Sequence, residues 1–154
     1  MERTLIILKP DCVQRGLCGL VLSRFEKRGF AIAGMKMVQL SQSLLKEHYA
    51  HIADKPFFPG IAAFMSSCPV VVAVVEGKDV VQVTRDMCGP TNARKAAPGT
   101  IRGDFSLSMQ CNVIHASDSL ETAQKEVARF FKPDELYSYP RMLNDVTYSA
   151  DERQ

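Results

Sequence analysis

The apolar residues along the chain predict four β-strands. Residues 4–8 and 70–75 are nearly continuous apolar runs, which are typical of strands covered on both faces. Residues 30–40 form a further predicted strand, and Val113 and Ile114 end a short fourth one. No apolar run approaches the roughly 18 residues that a membrane-spanning helix needs, so we expect no membrane partner.

Between the strands, apolar residues recur at helical spacing in residues 17–28, 42–52, 57–65, 78–87 and 120–131. Gly29 is expected to end the first helix, and Ser41 to cap the second. Asp118, with Glu121 three residues later, is the predicted N-cap of the last helix. Residues 88–104 show no periodicity and predict a long loop, which in a small domain is usually functional.

This order of elements predicts a single α+β domain. Four strands with helices inserted between them fit a four-stranded antiparallel sheet covered by helices on one side, a ferredoxin-like split βαβ sandwich. We place this domain at residues 1–140 and a C-terminal tail at residues 141–154. The polar sequence Asp151–Gln154 favours a disordered end.

Composition and charge narrow the classes of function. Apolar residues make up 46% of the chain and charged residues 23%, which are ordinary values for a soluble domain. The net charge of +2 predicts no nucleic-acid partner, so an anion site must come from local clustering of Lys and Arg. Five cysteines form no C-x-x-C pair, which favours reduced thiols in a cytoplasmic protein over a zinc site. The first strand begins at Thr4 and leaves no room for a signal peptide.

His115 is the most conspicuous candidate for chemistry, because it follows a buried strand and precedes a helix. A helix N-terminus attracts anions such as phosphate. Near pH 7 most of an ordinary histidine side chain is uncharged, and its imidazole can then act as a nucleophile. Glu126 borders the apolar stripe of that helix, where its carboxylate can orient the ring. The alternative is a structural histidine that closes the strand and binds a backbone carbonyl.

Other polar and aromatic residues suit a nucleotide. Lys9, Arg85 and Arg102 supply separated cations for a chain of phosphates, which arginine binds bidentately. Thr91 and Asn112 add a hydroxyl and an amide. One of the adjacent pair Phe57 and Phe58 is expected to be exposed, and an aromatic ring can stack on any base. Each of these residues also has an ordinary alternative role as a solvated or packing side chain.

Two patterns resemble known binding motifs but do not predict a binding site. Gly29 and Gly34 have the separation of P-loop glycines, but Met35 and Lys36 follow where Lys-Ser/Thr is needed. His48 and His51 have a spacing that metal ligands use, but no cluster of carboxylates or thiols supports them, so His48 is expected in the core or at its boundary. For Tyr49 two roles stay open: its ring can pack against the core, or its hydroxyl can face a cleft.

The chain resembles the nucleoside diphosphate kinase family from Thr4 to about Tyr139. The most specific motif is Asn-Val-Ile-His-Ala-Ser-Asp at residues 112–118, and residues 8–11 and 100–105 match as well, in the family's order. The resemblance implies a ping-pong exchange of the terminal phosphate between nucleoside triphosphates and diphosphates, with Mg²⁺ bound through the nucleotide phosphates. It also implies a homo-oligomer, a hexamer or a tetramer.

The same resemblance implies roles for individual residues. His115 would be phosphorylated at Nδ1, with Glu126 and Ser117 as its supporting hydrogen-bond partners. The nucleotide contacts would be Lys9, Tyr49 and Asn112 near the ribose and phosphate, Arg85, Thr91 and Arg102 on the phosphates, and Phe57 and Met109 on the two faces of the base.

The chain departs from the family pattern at Gln110 and Cys111, where Gly and a basic residue are usual, and at Ala93, where proline commonly follows Thr-Asn. Two further functions are compatible with such a scaffold. One is a nucleotide-binding or regulatory module without catalysis, which would have no need of His115. The other is a protein-histidine phosphodonor or a moonlighting interaction protein.

Overall fold

The computed structural model describes residues 1–142 and 144–153. Its centre is a four-stranded antiparallel sheet, as predicted, with the strand order β2-β3-β1-β4. The strands are β1 (Glu2–Leu8), β2 (Ala31–Val38), β3 (Val70–Gly77) and β4 (Ile114–Ala116). Residues 143 and 154, which belong to the predicted tail, lie outside the described residues.

Helices precede, separate and follow the strands. They are α1 (Pro10–Gln14), α2 (Cys18–Arg28), α3 (Gln42–His48), α4 (Phe58–Met65), α5 (Val80–Cys88), α6 (Ile101–Phe105), α7 (Leu120–Phe130) and α8 (Asn144–Thr147). Among the described residues, no helix is long and apolar enough to cross a membrane.

Alternation along the central strands divides the core into two layers. In β1, Ile6 and Leu8 pack into the layer that contains α2 and α5, whereas Leu5 and Ile7 pack into the layer that contains α3, α4 and α7. All four side chains are fully buried. The helices therefore cover both faces of the sheet, and the expectation of one covered side is wrong, although the continuous apolar run in β1 already indicated burial on both faces.

The helix ends confirm two of the three predicted caps. Gly29 ends α2 in the left-handed conformation (φ 103°), and the Ser41 hydroxyl accepts the Leu44 N–H at 3.2 Å. At α7 the prediction of Asp118 is wrong. Ser119 is the N-cap, because its hydroxyl accepts the Thr122 N–H at 3.1 Å and its carbonyl accepts the Ala123 N–H at 2.8 Å.

The predicted loop at residues 88–104 is partly helical. A 3₁₀ turn covers Ala93–Lys95, and the segment ends in α6, whose five residues are too few to show a hydrophobic period. Thr100 caps α6 by accepting the Gly103 N–H at 3.0 Å. A Cβ at Gly103 would lie 2.0 Å from the Ala97 carbonyl oxygen, so only glycine lets these two backbone segments approach.

The segment after α7 folds back onto the sheet. The Tyr137 N–H donates to the Ala33 carbonyl at 2.8 Å, and the Tyr139 hydroxyl donates to the Ile32 carbonyl at 3.1 Å, so residues 137–139 follow the outer edge of β2. Farther along, Lys78 pairs with Glu152 at 3.8 Å.

Candidate active site

A cavity of about 450 Å³ opens where β1 ends and β4 begins. Nine of the eleven site residues proposed from the sequence line it, and they come from distant parts of the chain. They are Lys9, Tyr49, Phe57, Arg85, Thr91, Arg102, Met109, Asn112 and His115. Glu126 and Ser117 are buried and hydrogen-bonded to each other beside His115.

The pairing of β1 with β4 brings Lys9 to Asn112. Leu8 pairs with Ile114, so the residues that follow β1 and precede β4 lie side by side. The Lys9 ammonium donates to the Asn112 amide oxygen at 2.6 Å. The amide nitrogen of Asn112 donates to the backbone carbonyls of Thr91 (2.8 Å) and Met109 (3.0 Å). This one fully buried amide therefore joins three walls of the cavity.

The turn into β4 has an energetically unfavourable backbone conformation. Val113 has φ 63°, in the left-handed region that a β-branched residue rarely adopts. Two bonds to the start of α1 hold it: the Asp11 carboxylate accepts the Val113 N–H at 3.0 Å, and the Val113 carbonyl accepts the Lys9 N–H at 2.9 Å. Strain that persists in this way is typical of functional sites, and here it lies two residues before His115.

The hydrogen bonds of Glu126 determine which nitrogen of His115 carries the proton. The Ser117 hydroxyl donates to the carboxylate at 2.6 Å, and both carboxylate oxygens lie near His115 Nε2, at 3.0 and 3.1 Å. Burial opposes the ionised carboxylate, but the bonds from His115 and Ser117 outweigh it and hold the pKa of Glu126 below its ordinary value. An ionised carboxylate only accepts, so Nε2 bears the hydrogen and Nδ1 keeps its lone pair.

The cations of the cavity differ in their surroundings. Arg85 is exposed, whereas Arg102 is buried and donates to the carbonyls of Gly89 (2.6 Å) and Ile114 (2.7 Å). Burial, with repulsion from Arg85, lowers the pKa of Arg102. Burial, with repulsion from Arg102, lowers the pKa of Lys9 to about 8, although Asp11 and Cys111 oppose the shift. A site that concentrates positive charge in this way favours the binding of an anion.

Two exposed apolar side chains lie at the cavity, as the base-stacking expectation requires. Phe57 is 56% exposed while its neighbour Phe58 is 5% exposed in the core, which confirms that only one of the two aromatic residues is buried. Met109 is likewise 56% exposed. Tyr49 faces the cleft rather than only packing, and burial, with the nearby Glu126 charge, raises its pKa to about 12, so its hydroxyl stays protonated.

Four further residues at or near the site were not predicted from the sequence: Asp11, Gln110, His48 and Arg129. Asp11 holds the strained turn, and its place in the motif at residues 8–11 was the available signal. Gln110 lines the cavity, and its carbonyl accepts a bond from Lys9 at 3.4 Å. His48 is buried, as expected, with its ring 4.8 Å from the ring of His115, while His51 is exposed. Helical periodicity alone gave no signal for a contact between α3 and β4.

The site suits a nucleotide-bound Mg²⁺ better than a metal held by the protein. Among the described residues that line the cavity, none is a carboxylate, the ligand that Mg²⁺ prefers. The lining cations complement phosphate oxygens instead. Such a site fits an ion carried on the phosphates of the substrate.

Known proteins resemble this chain over nearly its whole length. A family model for nucleoside diphosphate kinase matches residues 2–136. The nucleoside diphosphate kinase of Parabacteroides distasonis is 58% identical over 152 residues and covers 99% of both chains, and that of Pyrococcus horikoshii is 53% identical over 143 residues and covers 91% of both. The solved structure of a halophilic nucleoside diphosphate kinase from Halobacterium salinarum, in complex with CDP, has a TM-score of 0.93 at 42% identity, covering 96% of this chain and 99% of that one.

The site has a histidine oriented by a carboxylate, and it lies beside cations that face an open cavity. This combination is suited to covalent phosphoryl transfer. In agreement with this chemistry, the molecule is a phosphotransferase. The chain belongs to the nucleoside diphosphate kinase family, and its reaction moves the terminal phosphate of a nucleoside triphosphate to a nucleoside diphosphate.

Proposed function

We propose that the transfer is a ping-pong reaction through a phosphohistidine at Nδ1 of His115. The observation that carries this proposal is the contact of His115 Nε2 with the Glu126 carboxylate at 3.0 Å. Because the proton lies on Nε2, the Nδ1 lone pair is free to react without a separate deprotonation step. The carboxylate also stabilises the positive charge that develops on the ring when Nδ1 forms a new bond.

In the first half-reaction, the Nδ1 lone pair forms a bond to the γ-phosphorus of a nucleoside triphosphate. The bond from that phosphorus to the bridging β-γ oxygen breaks, and its electron pair leaves on the nucleoside diphosphate. A second diphosphate then enters, its terminal oxygen attacks the phosphohistidine, and Nδ1 regains its lone pair. One active site therefore serves donor and acceptor in turn.

The remaining cavity residues bind and position the nucleotide. Lys9, Arg85 and Arg102 offset the charge of the phosphates, with hydrogen bonds from Thr91 and Tyr49. Both amide hydrogens of Asn112 are bound to backbone carbonyls, so this residue presents its amide oxygen beside Lys9. Mg²⁺ bound to the phosphate oxygens would neutralise part of the same charge. Phe57 and Met109 would hold the base between them, and neither presents a polar group to a base edge, which favours broad base specificity. The CDP complex of the halophilic relative supports a nucleotide as the ligand.

The proposal is tested in two steps on the intact protein. The protein is mixed with Mg²⁺ and γ-³²P-labelled ATP, freed of nucleotide, and then given GDP. We expect an acid-labile phosphate on His115 that passes to GDP and yields labelled GTP. His115→Asn serves as the matched control, and it should bind nucleotide but take up no label.

A different result would favour a different function. If nucleotide binds and no phosphoenzyme forms, the site is that of a binding module, and Gln110 and Cys111 are the first residues to exchange. If label is found but never passes to a diphosphate, the protein is a phosphodonor to another acceptor.

We further propose a homo-oligomer, a hexamer or a tetramer, located in the cytoplasm. The free state of all five cysteines is compatible with a reducing compartment. Edge strand β2 supports assembly, because Met35 and Met37 lie two residues apart on one face of it and are 54% and 60% exposed.

A further inference from the structure

His48 lies directly behind the reactive histidine and belongs to no role described so far. It ends α3, is 7% exposed, and its ring meets those of His115, Tyr49 and Phe130 edge to face. Its Nδ1 is 3.7 Å from Glu126 Oε1, which is too long for a hydrogen bond. Burial lowers the pKa of His48 to about 3, with further lowering by His115, so the ring is neutral at pH 7 and forms no ion pair with Glu126.

Arg129 fixes the tautomer of this buried ring. Its guanidinium NH1 lies 3.4 Å from His48 Nδ1, and its Nε donates to Glu47 at 2.8 Å. Guanidinium groups only donate hydrogen bonds, so Nδ1 of His48 is the acceptor and the ring proton lies on Nε2, which is buried and has no hydrogen-bond partner among the described residues. His48 Nδ1 and Glu126 Oε1 are then two neighbouring acceptors, and the arginine binds the histidine rather than the carboxylate.

We propose that His48 is a positioning residue that engages the Arg129 guanidinium and thereby reserves the Glu126 carboxylate for His115. This inference rests on the proposed function, because it assigns importance to the bond between Glu126 and His115 Nε2. His48 itself touches neither the phosphate nor the nucleotide in this role. It acts by giving a nearby cation another acceptor.

The charged and titratable groups around His48 make this competition specific. Glu126 and Arg129 face it from α7, His115 from β4, Glu47 and His51 from its own segment, and Tyr49 from the adjoining turn. Of these groups, only Arg129 is a permanent cation. Its guanidinium is one hydrogen bond from His48 Nδ1, and that Nδ1 is 3.7 Å from Glu126. The Arg129 Nε stays with Glu47, and we expect the NH1 group, once released by His48, to turn to the buried Glu126 carboxylate.

Two substitutions, one that keeps a hydrogen-bond acceptor and one that removes it, separate this role from simple packing. His48→Asn keeps an acceptor oxygen near the position of Nδ1, whereas His48→Leu removes the acceptor at similar volume. We expect Leu to lower kcat about tenfold, a size typical of coupling within one hydrogen-bond network, with little change in KM. The rate of phosphoenzyme formation in a single turnover should fall with kcat, because an arginine on Glu126 withdraws the carboxylate from His115 Nε2. Asn should restore most of both properties.

The decisive measurement is rescue by a second substitution. Arg129→Met removes the competing cation, so His48→Leu/Arg129→Met should regain most of kcat and of the single-turnover rate, and Arg129→Met alone completes the cycle. His51→Leu, an exposed histidine three residues away, is the matched control and should behave as the wild type. Thermal unfolding and nucleotide binding confirm that each variant is folded.

The outcomes distinguish the two proposals. If the wild type forms no phosphoenzyme, the proposed function fails before His48 is tested. If the wild type forms phosphohistidine but the double variant is as slow as His48→Leu, or Leu and Asn act alike, His48 contributes packing only and the inference is overturned.

Discussion

At the scale of single residues, the charge on Lys9 is the most sensitive to pH among the cavity cations. Its pKa is lowered to about 8, mainly by burial and then by Arg102. Below that pH the ammonium is charged and binds phosphate; as pH rises through it, the free enzyme loses this cation. We therefore expect kcat/KM to fall on the basic side near pH 8.

Lys9→Arg tests the assignment, because a guanidinium keeps its charge at every accessible pH. This variant should be slower, since its fork cannot reproduce the geometry of an ammonium at Asn112, but its basic limb should be absent up to pH 10. A limb that persists in Lys9→Arg would assign the titration to another group.

The aromatic pair at residues 57 and 58 separates binding from stability. Phe57→Ala should raise KM through the loss of a stacking interaction of about 1–3 kcal/mol, with kcat and the melting temperature little changed. Phe58→Ala should instead destabilise the fold by about 3–5 kcal/mol, because Phe58 fills the core between α3, α4 and β3. Steady-state kinetics and urea unfolding measure both effects. Equal stability losses in the two variants would contradict the stacking role.

At the scale of elements, the cap of α7 provides a direct comparison. Ser119→Ala should lower the free energy of unfolding by about 1 kcal/mol, because the Thr122 N–H loses its acceptor. Asp118→Ala should change it much less, since Asp118 is not the N-cap. Urea denaturation of both variants measures the difference, and a larger loss in Asp118→Ala would restore the original assignment of the cap.

Local pattern predicted most elements and some of their ends. Gly29 and Ser41 were recognisable because each acts on backbone groups within four residues. The cap at Ser119 was misplaced by one residue, because β4 and α7 are joined by three polar residues that differ little in capping preference. Helix α6 was overlooked because a five-residue helix has no period. Such errors shift boundaries and leave the topology intact.

At the scale of the whole molecule, contacts between distant residues were available only through the fold. The pairing of Leu8 with Ile114 places Lys9 beside Asn112, and no local pattern contains that distance of 103 positions. Most candidate site residues came from residue type and position in the predicted elements, and the family resemblance added Ser117 and Met109. The contact of Arg129 with His48, in contrast, depends on how α3 packs against α7. Sequence alone therefore proposed the residues of the site, but not the contacts and hydrogen bonds between them.

Assembly is the last property decided at this scale. Residues 137–139 bond to the outer edge of β2 at Ile32 and Ala33, and beyond this segment β2 carries the exposed Met35 and Met37. An edge strand with exposed apolar residues is a template for another strand, so we expect Met37→Lys to lower the oligomer mass in light scattering. Met142→Lys, a substitution at a residue of the tail that is 97% exposed, is the control.

Because one chain supplies all nine of the named lining residues, the dissociated Met37→Lys protein should keep its rate per site and lose thermal stability. An unchanged mass would exclude this edge as the contact, and a lost rate with retained fold would show that the neighbouring subunit completes the site.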